Sequence, residues 1–451
     1  MILSVGASQF AAPVDVFAHY MEQLRRSVAR VGQERPPRGE FEPAFELPPA
    51  TEELSEYFSV VDLRFVDITT AGRSRLVLLD LMRNPGTRTV KTLASLVIVA
   101  RAVWHIQQTS ERITILTPSS ANKATALRDA VLRAYASGLA TPEDLQIVSI
   151  VPDGARAKLW SSALSENSVL AARNPLCVYQ GAQPDEVKSI SRDAAADCAD
   201  ELWSRHGIHL WRTLDLDNYR CADALRAVAE QALMPAQLGV RRAHAHAVSS
   251  AFGLLGHHFG TTLSAGSQPA PQYFLVQHLA TPDMVLSLYD TTMPNYQFDS
   301  ANGVYRQDVD PRFPASTFDP EENLEPTFYT KNPTTCQAMN EIIRNQGGGG
   351  IVVSLHECLA RYGEIRATLA NAGVDLPTDP RRLLEWSLVM AMTGVLNAID
   401  RGLLDADEVI VHGSGSYSQD EFTPIPQCRL CPVAGPADLR QAIIDAVSSA
   451  S

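Results

Sequence analysis

Four short stretches of this sequence carry residue types that can do chemistry together, and the first turns on one lysine. In Asn84-Pro85-Gly86-Thr87-Arg88-Thr89-Val90-Lys91 the apolar run 76–79 leads into an Asn-Pro-Gly turn. Lys91 then opens the apolar run 93–103, which reads as a buried helix. A lysine at a helix start sits among unpaired N–H groups at the positive end of the dipole. That setting disfavours the ammonium form and leaves an amine able to attack or condense with a carbonyl. The bland alternative is a solvated surface lysine.

The other three stretches also run from strand through small residues to a turn or helix. Ser119-Ser120-Ala121-Asn122-Lys123 follows the run 113–117. Hydroxyls and backbone N–H groups at a helix start make a carboxylate site, although an ordinary Ser or Asn cap explains the pattern more simply. Ser249-Ser250-Ala251-Phe252-Gly253 follows the run 244–248. Such a turn can cradle a phosphate with main-chain N–H groups, or be a close-packed turn and nothing more. It has neither the dinucleotide glycine spacing nor the phosphate-loop lysine, so no nucleotide site is expected. Last, the run 409–412 ends in Gly413-Ser414-Gly415. A hydroxyl at Ser414 can meet a ring nitrogen without carrying a full charge, or simply end a turn.

Regular elements must hold these stretches in place. Runs at 76–79, 113–117, 147–151, 176–179, 244–249, 274–277, 351–354 and 409–412 read as strands. Helical patterns separate most of them, at 93–107, 122–137, 185–206, 219–233, 252–260, 334–346, 355–372 and 382–402. This alternation predicts an α/β fold with mostly parallel strands covered on both faces. Residues 11–31 read as an amphipathic helix with Val14, Phe17, Met21 and Leu24 on one face. Residues 32–53 read as a linker, and 290–326 as a long insertion or lid without periodicity. The glycine run 347–350 precedes a strand rather than a helix and is read as a turn.

A chain of 451 residues has room for two or three domains. Its net charge of -13 argues against a nucleic acid or an anionic membrane as partner. No run has the length of a membrane span, and residues 1–10 lack the features of a secretion signal. Seven scattered cysteines suggest reduced thiols in a cytoplasmic setting. Cys428 and Cys431 lack a second ligand pair for zinc and read as two thiols in a C-terminal tail. His244, His246, His257 and His258 cluster in sequence with no acidic partner nearby, so they read as structural and no metal is expected.

In their order and spacing, these motifs make residues 60–425 resemble the threonine-synthase-like branch of fold-type II pyridoxal-phosphate (PLP) enzymes, which are related to the tryptophan synthase β chain. Asn84 to Lys91 looks like that family's Asn-Pro-Thr-Gly-Ser-Phe-Lys, whose lysine carries the cofactor. Ser119 to Lys123 looks like its Ser-Ser-Gly-Asn-Thr loop, which holds the substrate carboxylate and whose Asn touches the cofactor's phenolic oxygen. The sequence from Val148 to Gly154 resembles the next strand with its Val-Pro-x-Gly turn. Ser249, Ser250, Ala251, Phe252 and Gly253 fall at the family's glycine-rich phosphate turn. Lys331-Asn332-Pro333, the glycine run and Glu385 fall at further family segments, and Ser414-Gly415 falls where a hydroxyl meets the pyridine nitrogen.

The resemblance implies two three-layer αβα domains with the cofactor in the cleft between them. The larger would comprise 55–92 and 215–430, including the insertion 290–326, and the smaller 93–214. Residues 1–54 would precede them as helix and linker, and 431–451 would follow as a tail helix. It further implies Lys91 as cofactor attachment and α-carbon base, and Asn122, the 249–253 turn and Ser414 as cofactor contacts. Ser119, Ser120 and Lys123 would bind substrate. A neutral partner for the ring nitrogen favours elimination over transamination, so the expected reaction is β- or γ-elimination or replacement on an amino acid with a leaving group. This is lyase or transferase chemistry. Relatives are often dimers, which suggests a homodimer. A serine or threonine dehydratase and a non-catalytic cofactor-binding paralogue remain open readings. Departures mark a divergent member: Thr92-Leu93-Ala94 replaces Asp-Arg-Gly after the lysine, Lys123 replaces a small Thr, and the phosphate turn has lost most of its glycines.

Overall fold

The computed structural model describes residues 14–36, 39–263 and 269–448. The reading of residues 1–10, with that of 11–13, lies outside this range. The apolar run at Leu76 forms the strand Ser74–Asp80 within a seven-stranded sheet. The sheet order is Val14–Asp15, Asp62–Ala71, Ser74–Asp80, Glu408–Gly413, Arg242–Ala247, Gln272–His278 and Gly348–Val353. From Ser74–Asp80 onward the pairs are parallel, and the two pairs at the other edge are antiparallel. Side chains alternate across a strand. Accordingly Val77 and Leu79 join a core with the helices Val16–Glu34, Lys91–Thr109 and Leu216–Leu233, while Leu76 and Leu78 join one with Leu355–Asn371 and Ser387–Asp400. Burial on both faces explains why these strands read as continuous apolar runs.

A second sheet has five parallel strands in the order Cys431–Val433, Leu176–Tyr179, Leu145–Pro152, Arg112–Pro118 and Ile208–Arg212. Ile113, Ile115 and Ile147 face the helices Lys91–Thr109 and Asn122–Ala136. Leu116, Val148 and Ile150 face Val187–His206 and Pro436–Ser448. Among the described residues, no helix is long and apolar enough to cross a membrane.

Several expectations need correction. Of the expected tail helix over 431–451, Pro436–Ser448 is helical, but Cys431–Val433 is an edge strand in which Cys431 lies opposite Cys177. Val14 pairs with Leu63 in a strand, the helix starts at Val16, and its buried face runs through Leu24, Val28 and Val31. The side chain of Phe17 lies outside the description. The 32–53 linker is packed, because buried Arg101 donates to the carbonyl oxygens of Pro43 and Ala44 and its guanidinium lies 3.5 Å from the Phe45 ring centre. The insertion holds a small antiparallel sheet of Gln297–Asp299, Val304–Arg306 and Ser316–Thr317. Gly348 to Gly350 are strand residues rather than a turn. Gly348 has φ +114°, and an added Cβ would lie 1.9 Å from the Tyr273 carbonyl oxygen, so only glycine fits there.

Candidate active site

The carboxyl ends of the parallel strands open on one cavity of about 660 Å³, where open α/β sheets bind ligands. It is lined by Lys91, Ser119, Ser120, Asn122, Lys123, the turn from Ser249 to Gly253, and Ser414. The structure therefore brings the candidate site residues of all four stretches to one place. Residues 290–326 do not line it; the following segment, Thr327 to Thr335, does.

Local bonds fix the approach to Lys91. The Asn84 side chain accepts from the Gly86 N–H at 2.9 Å and donates to Asp129 at 3.2 Å. The Ser414 carbonyl accepts from the Val90 N–H at 2.9 Å, and the Gly413 carbonyl accepts from the Leu81 N–H at 3.2 Å. The lysine loop is thereby stitched to the end of the strand Glu408–Gly413. Lys91 is half-buried at the first position of its helix. Burial pushes its ammonium down from the ordinary lysine value, Asp223 opposes this, and Arg226 reinforces it. Burial, rather than the helix dipole invoked from sequence, is the leading cause.

Lys123 lies on the first turn of the helix Asn122–Ala136 and is buried. Its amine donates to the Thr213 carbonyl at 3.2 Å. Lys91 Nζ lies 5.3 Å and Lys123 Nζ 5.4 Å from the Tyr219 ring centre, so two amines flank one aromatic ring. Burial first, and then the charge of Lys91, lowers Lys123 from 10.5 to about 7. Below pH 7 both folded and unfolded chains carry this proton. Between pH 7 and 10 only the unfolded chain does, so stability attributable to this group rises with pH across that window, by up to about 1.4 kcal/mol per pH unit. We expect Lys123→Met to raise stability at pH 7 and to flatten this slope in urea titrations from pH 7 to 10. An unchanged slope would mean that the amine is not desolvated.

Asn122 is held at both ends. Its amide nitrogen donates to Glu385 at 2.8 Å, and its oxygen accepts from the Tyr417 hydroxyl at 2.7 Å. Glu385, as a carboxylate, can only accept, which fixes the amide orientation and leaves one N–H spare. Behind it, buried Lys158 is ion-paired with Glu325 and, at 3.1 Å, with Glu385. Burial raises Glu325; it also acts to raise Glu385, but Lys158 and the bonds from Ser387 and Asn122 outweigh this and hold Glu385 down. Lys158, Glu325, Tyr219, Tyr417 and Arg226 escaped sequence reading, while Glu385 was placed only at a family segment and His246 only among histidines read as structural.

The Ser119 hydroxyl accepts from the N–H of Ala124 at 2.8 Å and caps its helix, so its proton remains free for a ligand. Ala121, where the resembling loop has glycine, sits at φ +94°, a strained conformation of the kind that collects at functional sites. The helix Phe252–Leu263 starts behind Ala251, at φ +52° and without a side chain able to cap it. Its first N–H groups, which have no partner within the helix, open on the cavity.

The histidines are not without an acid. Glu230 lies 2.7 Å from His257 Nε2 and 3.4 Å from His244 Nε2, and His244 Nδ1 lies 2.9 Å from His412 Nε2. The sequence reading missed Glu230 because it sits on another helix.

A buried Ser414 hydroxyl without a hydrogen-bond partner, a helix start on the cavity wall, a desolvated lysine amine and a spare amide N–H fit the four ends of a pyridoxal-phosphate molecule. Among solved structures, the chain is similar to PLP-bound threonine synthase from Brucella melitensis, at 13% identity and TM-score 0.52, over 86% of this chain and 82% of that one. Yeast threonine synthase matches at 12% identity and TM-score 0.49, covering 88% and 75%. Threonine deaminase isoform 2 from Solanum lycopersicum matches at 13% identity and TM-score 0.46, covering 92% and 90%. At 13% identity the likeness to the Brucella melitensis structure establishes the fold alone, that of fold-type II enzymes. No curated protein matches the sequence. One family model, described as a family of unknown function (DUF6002), matches residues 13–447.

Proposed function

The chain belongs to the DUF6002 family, and we propose that it is a pyridoxal-phosphate-dependent enzyme acting by β- or γ-elimination or replacement on an amino acid that bears a leaving group. One observation carries this reading. Lys91, Asn122, the 249–253 turn and Ser414, distant in sequence, line the same cavity. When bound, the cofactor would supply an aldehyde and a conjugated ring that accepts electrons from the substrate's α-carbon. Lys91, with its lowered basicity, would be the residue that holds the aldehyde and, once a substrate amine has released it, moves the α-proton. The spare Asn122 N–H would donate to the phenolic oxygen, Ser414 would meet the ring nitrogen without protonating it fully, and the N–H groups from Ser249 to Gly253 would take the phosphate. Ser119 and Ser120 orient the substrate carboxylate. Lys123, Lys188 and Lys331 on the cavity wall would favour an anionic group on the substrate.

The test is a spectral screen of the cofactor-loaded protein against serine, threonine, homoserine and their phosphorylated or acetylated forms. An amino-acid-dependent change in the visible band with product release supports the reading. Colour without any response points to a binding protein instead, and product analysis separates deamination from replacement. Ser414→Ala should leave stability without cofactor within about 0.5 kcal/mol, since no hydrogen bond is lost. It should also shift the cofactor's absorption maximum. A destabilised variant with an unaltered spectrum would remove Ser414 from the site.

A further inference from the structure

Resting on the reading that this cavity takes a phosphorylated cofactor, we propose that its phosphate end is a side-chain anion site, with Arg226 as cationic anchor and His246 as second contact. The turn there carries Ser249, Ser250, Ala251 and Phe252 where the resembling enzymes have glycines, and Arg226 comes from another helix, Leu216–Leu233. Its guanidinium lies flush on the first turn of the helix Phe252–Leu263. A Cβ added to Gly253 would stand 2.6 and 2.7 Å from its two terminal nitrogens. Arg226 is 1% exposed and lines the cavity.

Its donors can be accounted for. Nε and Nη2 donate to Asp223 Oδ1 at 3.1 and 2.7 Å, and Nη1 reaches His412 Nδ1 at 3.2 Å. A guanidinium has five N–H groups in a rigid fork, so two remain, one on each terminal nitrogen. Asp223 fixes the fork and offsets its charge, which lets the cation stay buried. Independently, His246 is 7% exposed and lines the same cavity. Its Nδ1 donates to the Ala247 carbonyl at 2.6 Å, which leaves Nε2, buried and without a partner, as the acceptor of the neutral ring, able to receive the proton of a phosphate O–H. The N–H groups of the first helical turn, two free guanidinium N–H groups and an imidazole nitrogen that can take up a phosphate O–H proton together suit a phosphate monoester.

The experiment compares binding of pyridoxal 5'-phosphate and of pyridoxal to the full chain, with inorganic phosphate followed by phosphorus NMR as a third probe. For wild type we expect a preference of at least about 100-fold for the phosphorylated form. Arg226→Gln should reduce that preference roughly 10- to 100-fold with pyridoxal affinity unchanged, the loss expected for charged hydrogen bonds. Gly253→Ala, which displaces the guanidinium without removing it, should do the same and covers the case in which Arg226→Gln fails to fold. An unaltered preference in a folded variant would overturn the anchor while leaving the cofactor reading intact. Arg226-dependent binding of inorganic phosphate without uptake of either pyridoxal form would keep the anion site and remove the cofactor reading. A wild-type chain that binds none of the three would overturn both.

Discussion

Lys91→Ala is expected to abolish covalent retention of the cofactor and to lower amino-acid turnover by at least about 10³-fold, the scale of a lost nucleophile and general base. The fold should survive, because Lys91 makes no side-chain hydrogen bond that holds the loop. Val90 and Thr89 do that through the Ser414 carbonyl. Removing a desolvated amine should leave the folding midpoint equal or raised. The cofactor should still bind through the phosphate end and dialyse away readily. Turnover within tenfold of wild type, by single-turnover kinetics, would assign the chemistry elsewhere, with Lys123 the first alternative.

Lys158→Met should cost about 3–5 kcal/mol in urea unfolding, because it strands the buried carboxylates of Glu325 and Glu385 without their shared cation. A second change, Glu325→Gln, should recover part of that loss, since Glu325 is the carboxylate that burial already drives toward its neutral form. Glu385 grips the Asn122 amide, so the single variant should also weaken cofactor binding. A variant as stable as wild type would show that the three groups are not a mutually dependent buried set.

Much of the site was legible because its turns carry local signals. Asn84-Pro85-Gly86, Ser119-Ser120, Ser249-Ser250 and Gly413-Ser414 each end a buried apolar run, and the pattern reports both the strand and the place where it stops. Their convergence was not local; the resemblance supplied it. Asp62–Ala71 was missed although Leu63 and Phe65 alternate inward, because its other face is mostly polar and it holds no continuous apolar run. Ile208–Arg212 is a short edge strand whose polar residues, His209 and Arg212, dilute the signal. Lys158, Glu325 and Glu385 lie far apart in sequence, and nothing near any of them announces burial. The same holds for Glu230 beneath the histidines and for Arg226 against Gly253. Charges that complete one another across the fold appear only once the sheets are assembled.

The most direct test of the central claim is chemical. The full chain, loaded with pyridoxal phosphate, would be reduced with borohydride, digested, and its peptides mapped by mass spectrometry. A single pyridoxyl label on Lys91 is the predicted result. A label on Lys123 or Lys331, or none at all, would contradict it.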